Sequence, residues 1–288
     1  MAETGSTTST FFTSLSLGAL GFDPGFSTVV DLATEFGFDA VEPDLRHLRT
    51  LSEQELAKLP DQLADRGLRW GVAGVPVDLS AEAATFAKQL VELEAHAATL
   101  AAAGVTRAGT WIRPMSDTLT YRRNFARWVE RVALVDEVLA AAGIRFGLEY
   151  VGPKTMWSTE RYPFVHTLAE VRELLAAVGS SNVGVILDSF HWYTSGETAD
   201  DIRQLSASQV ISVDLNDAPA GLERDEQQDL SRMLPGATGV IDLASFVGAL
   251  RDIGYAGPVK VEPFNAELRE LPVRDAVART AEALRAVL

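Results

Sequence analysis

The sequence has no cysteine, which removes disulfides, thiolate zinc sites and thiol nucleophiles together. Any metal must therefore be held by oxygen or imidazole. Imidazole is scarce: the four histidines are His47, His96, His166 and His191. Lysine is equally sparse, at positions 58, 88, 154 and 260. No apolar run approaches the ~20 residues that a membrane helix needs. The stretch MAETGSTTST is polar and carries only Glu3 as a charge, so it does not resemble a secretory signal. These absences lead us to expect a cytoplasmic protein with a disordered tail over residues 1–10. Positive charge is also short, with 25 Lys+Arg against 40 Asp+Glu and a formal net charge of -15. A surface of that sign repels nucleic acid and anionic membrane, and neither is expected as a partner. Many of the acids fall in stretches such as EQELAK (53–58) and VELEAH (91–96), which read as solvated helix faces.

What is present is a repeating pattern. Hydrophobic residues make up 47% of the 288, enough for one large core. Eight short apolar segments read as strands: 13–20, 38–43, 68–75, 106–113, 145–151, 183–189, 210–217 and 259–264. Between them lie segments with helical spacing, such as NFARWVERVALVDEVLAAAG. There Phe125, Val129, Val132, Val135 and Leu139 share one face and Gly143 ends the helix. In VIDLASFVGALRDIG, Asp242 is placed as an N-cap, with Ile241 and Phe246 spaced as a hydrophobic staple. Eight strands alternating with helices argue for a single-domain (β/α)8 TIM barrel over residues 11–288. An open doubly wound sheet is the fallback, but no Gly-x-Gly-x-x-Gly follows the first strand. The longest interruption, 218–239, becomes the loop after the seventh strand and borders the active face.

In such a barrel, chemistry gathers at the C-terminal ends of the strands. Glu149, Asp188, Asp214 and Glu262 stand there on four successive strands. Period-two alternation pairs Gly147 with Glu149, Ile186 with Asp188, Ser212 with Asp214, and Lys260 with Glu262 on one face. Strands about 4.8 Å apart bring such side chains round a single point. Taken singly, each has a plain structural reading: a strand-end Glu is a salt-bridge partner, Asp188 caps the next turn, and Asp217 shapes one. Four together repel strongly without a counter-charge, and a divalent metal supplies it. An all-oxygen set suits Mg²⁺ or Mn²⁺ better than Zn²⁺.

The segments FDAVEP, GLEYVGPKT, NVGVILDSFHWY, VDLNDAP, LPGATGVID and GPVKVEPF resemble the xylose isomerase-like TIM barrels. That group includes sugar phosphate isomerases and epimerases, ketose 3-epimerases and inosose isomerases or dehydratases. The resemblance runs from about Phe11 onward. It implies a divalent metal held by Glu149, Asp188, the residue at 214, and Glu262. It further implies that Glu149 and Glu262 serve as the acid/base pair and that His191 contacts substrate. The strand-7 ligand is usually His in such barrels and is Asp214 here, which adds negative charge and favours a harder metal.

The implied chemistry is proton transfer beside a carbonyl through an enediolate, on a keto-sugar or polyol-derived ketone. Return of the proton to the same carbon gives epimerisation, return to its neighbour gives isomerisation, and loss of a β-hydroxyl gives dehydration. Lys154, Arg113 and Glu42 are candidate substrate contacts. Lys260 lies a layer deeper, and Trp111 reads as core. His166 reads as the start of a helix, while His47 and His96 carry little signal. Rival readings are a metal-dependent lyase or dehydratase on keto-sugars or oxidised glycosides, and a catalytically silent barrel subunit. A homodimer or homotetramer fits the resemblance.

Overall fold

The computed structural model describes residues 11–288; the expected tail over 1–10 lies outside the described residues. Eight parallel staves form the sheet. They are strand 1 (Phe12–Leu15), strand 2 (Ala40–Val41), strand 3 (Arg69–Trp70 and Ala73–Gly74), strand 4 (Arg107–Trp111), strand 5 (Arg145–Glu149), strand 6 (Val183–Asp188), strand 7 (Val210–Leu215) and strand 8 (Pro258–Val261). Pairing runs from Arg69–Trp70 through strands 2, 1, 8, 7, 6, 5 and 4 to Ala73–Gly74. Both ends of that order belong to strand 3, so the sheet closes on itself as a TIM barrel.

Strand 3 was expected as one piece over 68–75, and it is broken at Gly71–Val72. A Cβ on Gly71 would lie 2.4 Å from Ser14 Oγ, so the break falls where the chain runs close against a strand 1 side chain. Arg69–Trp70 then pairs with strand 2, and Ala73–Gly74 with strand 4. Strands 6 and 7 are buried along their whole length, as parallel strands covered by helices outside and side chains inside must be. Within the lumen, Ile186 fills space that Gly109 and Gly147 leave open. A Cβ on either glycine would come within 2.8 Å of the Ile186 side chain. This packed layer is the floor beneath the strand ends.

Helices cover the outside. The segment with apolar residues on one face forms Tyr121–Ala141, burying Val132, Val135 and Leu139 together with Trp128. Phe125 and Val129 are partly buried against the same core. Asp242 caps Leu243–Asp252 by accepting from Ser245 N at 3.0 Å, and Ile241 and Phe246 are both buried. The 218–239 loop is pinned at its neck. Asp217 pairs in an antiparallel bridge with Met233, and its carboxylate accepts the amides of Ala218, Thr238, Gly239 and Ile241 at 2.8–3.0 Å. A short antiparallel ladder between Met115–Ser116 and Tyr162–Pro163 links the loops after strands 4 and 5. Among the described residues no helix is long and apolar enough to cross a membrane.

Candidate metal centre

Parallel register sets the site. Asp214 is level with Asp188 on one side and with Lys260 on the other. Glu149 ends strand 5 and is level with Ile186. Glu149, Asp188, Asp214 and Glu262 each offer one oxygen, and these four oxygens all lie within 4.8 Å of one another. Glu149, Asp188 and His191 form a second, overlapping group. The structure therefore gathers the four carboxylates expected to converge.

Asp188, fully buried, has more partners than its sequence context reveals. Its Oδ1 accepts the amides of Phe190 and His191 at 2.6 and 3.2 Å, capping the short helix Ser189–Thr194. Its Oδ2 accepts from Asn216 Nδ2 and Arg232 Nη1, both at 2.8 Å. The capping reading and the charge-pair reading of this aspartate thus hold together. Asn216 also accepts from the Glu262 amide at 3.0 Å, tying strand 7 to strand 8 at the level of the site.

Arg232 comes from the 218–239 loop and is buried. Its guanidinium lies between the Phe190 and Phe264 rings, with centroids at 5.0 and 4.7 Å. Phe264 adopts a positive φ of 38°, a conformation that costs a non-glycine residue roughly 1–3 kcal/mol. Arg232 pairs with Asp188 at 2.8 Å, Asp229 at 2.8 Å and Glu262 at 3.4 Å. Burial opposes its charge, but these carboxylates and Glu149 hold its proton more tightly than usual. Sequence reasoning missed Arg232, Asp229 and Asn216. The first two sit in a run, ERDEQQDLSR, that reads as a solvated loop.

Lys260 is the second internal cation. Its Nζ lies 3.3 Å from Asp214 Oδ2, 3.5 Å from Glu42 Oε1 and 3.7 Å from Glu262 Oε1. Burial works against its charge, yet Asp214, Glu42 and Glu262 lift its pKa well above the ordinary lysine value. Glu42 is thereby joined to the site. It also lines a cavity of about 280 Å³ that includes Leu17, Phe22, Phe26 and Val29.

Two cations do not satisfy the cluster. Glu149 Oε1 and Asp214 Oδ1 are buried and have no hydrogen-bond partner. Burial first, and then the neighbouring carboxylates, push both groups well above the ordinary carboxylate range, against the opposing pull of Arg232 on Glu149 and Lys260 on Asp214. Two orphaned oxygens on a set of four converging carboxylates fit a divalent cation. Glu149, Asp188, Asp214 and Glu262 are the residues that could hold it.

His191 Nδ1 accepts the Gly152 amide at 3.3 Å. Its Nε2 faces Arg232 Nη2 at 3.3 Å and lies 3.7 Å from Glu149 Oε1 and 3.8 Å from Asp229 Oδ1. Burial lowers its pKa despite the pull of Asp188. Two other expected contacts lie elsewhere: Arg113 pairs with Glu160, and Lys154 with Asp225 at 2.6 Å. Neither pairs with the four carboxylates. Trp111, expected in the core, is 45% exposed, because it lies at the open end of strand 4. His166 Nδ1 donates to Phe164 O at 2.7 Å beside the capping box of Thr167 and Glu170, as a residue at a helix start does.

Known proteins resemble this chain in sequence and in fold. Inosose isomerase of Halalkalibacterium halodurans is 30% identical over 146 residues, 50% of this chain and 48% of that protein. The chain thus spans about half the length of this relative. D-psicose 3-epimerase of Agrobacterium fabrum is 26% identical over 249 residues, 83% of this chain and 79% of that one. A xylose isomerase domain protein from Alicyclobacillus acidocaldarius superposes with a TM-score of 0.82 at 30% identity, covering 96% of this chain and 98% of that one. The IolI protein, solved with a bound zinc atom, has the same fold, with a TM-score of 0.81 at 19% identity over 96% of this chain and 98% of its own. The family description "xylose isomerase-like TIM barrel" matches residues 30–287, and the chain belongs to that family.

Proposed function

We propose that this chain is a divalent-metal-dependent isomerase or epimerase that moves a proton next to the carbonyl of a keto-sugar or polyol-derived ketone. The observation that carries the reading is the pair of buried, unpartnered oxygens, Glu149 Oε1 and Asp214 Oδ1, within a four-carboxylate set. The relatives named inosose isomerase and D-psicose 3-epimerase support the substrate class. Glu149, Asp188, Asp214 and Glu262 would hold the ion, with Mn²⁺ or Mg²⁺ favoured by a donor set without sulfur or imidazole. When bound, the ion stabilises the negative charge that develops on a carbonyl oxygen as the adjacent C–H loses its proton.

The chain's own groups supply the rest. Glu149 and Glu262 stand on non-adjacent strands, so they can reach opposite faces of a small ketone. One removes the proton and the other returns it. Arg232 fixes Asp188 and holds the Glu262 carboxylate at 3.4 Å, which keeps the acid/base group from swinging away. His191 places its Nε2 among Arg232, Glu149 and Asp229, beside the space where a substrate hydroxyl would lie. Glu42 offers an acceptor at the edge of the adjoining cavity. Arg113 and Lys154, paired with Glu160 and Asp225, keep N–H donors to spare for a substrate.

Incubation of the manganese-loaded protein with ketohexoses and with an inosose in D₂O tests the reading. Deuterium should appear at the carbon beside the carbonyl, and Glu149→Gln should abolish it. Absence of exchange with every ketone, in protein shown to hold metal, would instead favour a catalytically silent barrel.

A further inference from the structure

Asp214 and Lys260 face each other in register on adjacent strands. Both side chains therefore enter the lumen at one level. They divide the aspartate between them and the site: Oδ2 is 3.3 Å from the ammonium, while Oδ1 is buried without any partner. Arg232 does not reach Asp214; its partners are Asp188, Asp229 and Glu262. Lys260 is thus the cation assigned to this carboxylate, and its ammonium also lies 3.5 Å from Glu42 and 3.7 Å from Glu262.

We propose that Lys260 is a positioning residue that turns Asp214 into a charge-neutral metal ligand: the ammonium cancels the charge on one oxygen and leaves the other free to coordinate. The inference rests on the metal-dependent reading above. Without such a partner the four carboxylates would repel one another more strongly in the metal-free protein and hold still more protons in place of the ion. With Lys260 in place, the Asp214–Lys260 pair is a zero-charge oxygen donor, beside the three anionic donors Glu149, Asp188 and Glu262.

The test is a double-mutant cycle on Mn²⁺ affinity, followed by the electron paramagnetic resonance signal of free Mn²⁺ with no substrate present. Asp214→Asn leaves a neutral donor beside an ammonium whose charge is then shared by Glu42 and Glu262 alone, and should weaken binding by roughly 100-fold. Lys260→Met leaves Asp214 anionic and should tighten binding by about tenfold at pH 8, where protons compete less. The double variant again presents a neutral oxygen, now with no nearby cation, and should return to within about threefold of wild type, far from the product of the single effects. Lys260→Gln, which keeps an N–H donor, guards against a folding defect in Lys260→Met, and circular dichroism melts of each variant check that the barrel is intact. Wild-type affinity in Asp214→Asn, or a double variant as weak as Asp214→Asn, overturns the inference while leaving the metal reading in place. A wild-type protein that binds no Mn²⁺ overturns both.

Discussion

Glu197 shows how a single buried carboxylate makes stability depend on pH. Its Oε2 accepts from Tyr150 Oη and its Oε1 from the Leu168 amide, both at 2.5 Å. Burial nevertheless dominates, raising its pKa from 4.5 to about 7. A folded-state value above the unfolded one favours folding at low pH. That contribution is complete below about pH 4.5 and is lost as the pH rises through about 7, a change of roughly 3 kcal/mol for a shift of this size. Glu197→Gln keeps an acceptor and adds a donor that Tyr150 Oη can take. The variant should therefore gain stability over wild type as the pH goes from 5 to 8. Urea unfolding at both pH values measures this, and an unchanged difference between the two proteins would rule it out. For the chemistry, Glu149→Gln and Glu262→Gln should each lower kcat by about 10²–10⁴-fold, the usual contribution of a positioned acid or base. Both should leave the far-UV circular dichroism unchanged, because glutamine matches glutamate in size and the strand pairing is made by backbone.

Among the elements, the 218–239 loop matters most, since it carries Arg232 and Asp229 into the site. Its neck depends on Asp217, whose carboxylate accepts four backbone amides. Asp217→Ala removes those acceptors and should cost roughly 3 kcal/mol or more, given about 1–3 kcal/mol for each buried donor left without a partner. Because Arg232 would lose its anchorage, activity should fall further than stability alone explains. Steady-state kinetics well below the melting temperature separate the two effects, and activity that follows only the folded fraction would refute this coupling. The same loop marks the limit of what the sequence shows. Glu149, Asp188, Asp214 and Glu262 were legible because each ends a strand in an otherwise apolar context, where a charge needs a reason. Arg232 was not legible, because a charged residue among ERDEQQDLSR has many reasons to be there and its burial between Phe190 and Phe264 depends on tertiary packing. Lys260 was half legible: alternation puts it on the face of Glu262, yet its pairing with Asp214 follows only from the register between strands 7 and 8. The break in strand 3 was hidden for a similar reason, since the contact of Gly71 with Ser14 joins residues far apart in the chain.

For the molecule as a whole, the closed sheet makes the site both a source of strain and a reserve of stability. Strands 5 to 8 cannot move apart without breaking the barrel, so their four carboxylates are held together whether or not a counter-ion is present. In the metal-free protein the repulsion is relieved by Arg232, by Lys260 and by protons, as the raised proton affinities of Glu149 and Asp214 record. A dication replaces those protons. Binding should therefore release protons to solvent, and affinity should rise with pH until Glu149 and Asp214 ionise unaided. Binding to the folded state alone also stabilises it, by about 2.7 kcal/mol when free metal is 100 times Kd. Stripping the protein with EDTA should accordingly lower the melting temperature, Mn²⁺ should restore it, and the restored increment should be larger at pH 8 than at pH 6. Calorimetric titration in two buffers of different ionisation enthalpy counts the released protons directly. A count of zero at pH 6, with Mn²⁺ bound, would mean that the ion does not contact Glu149 and Asp214, and that the convergence of these staves serves the barrel's packing alone.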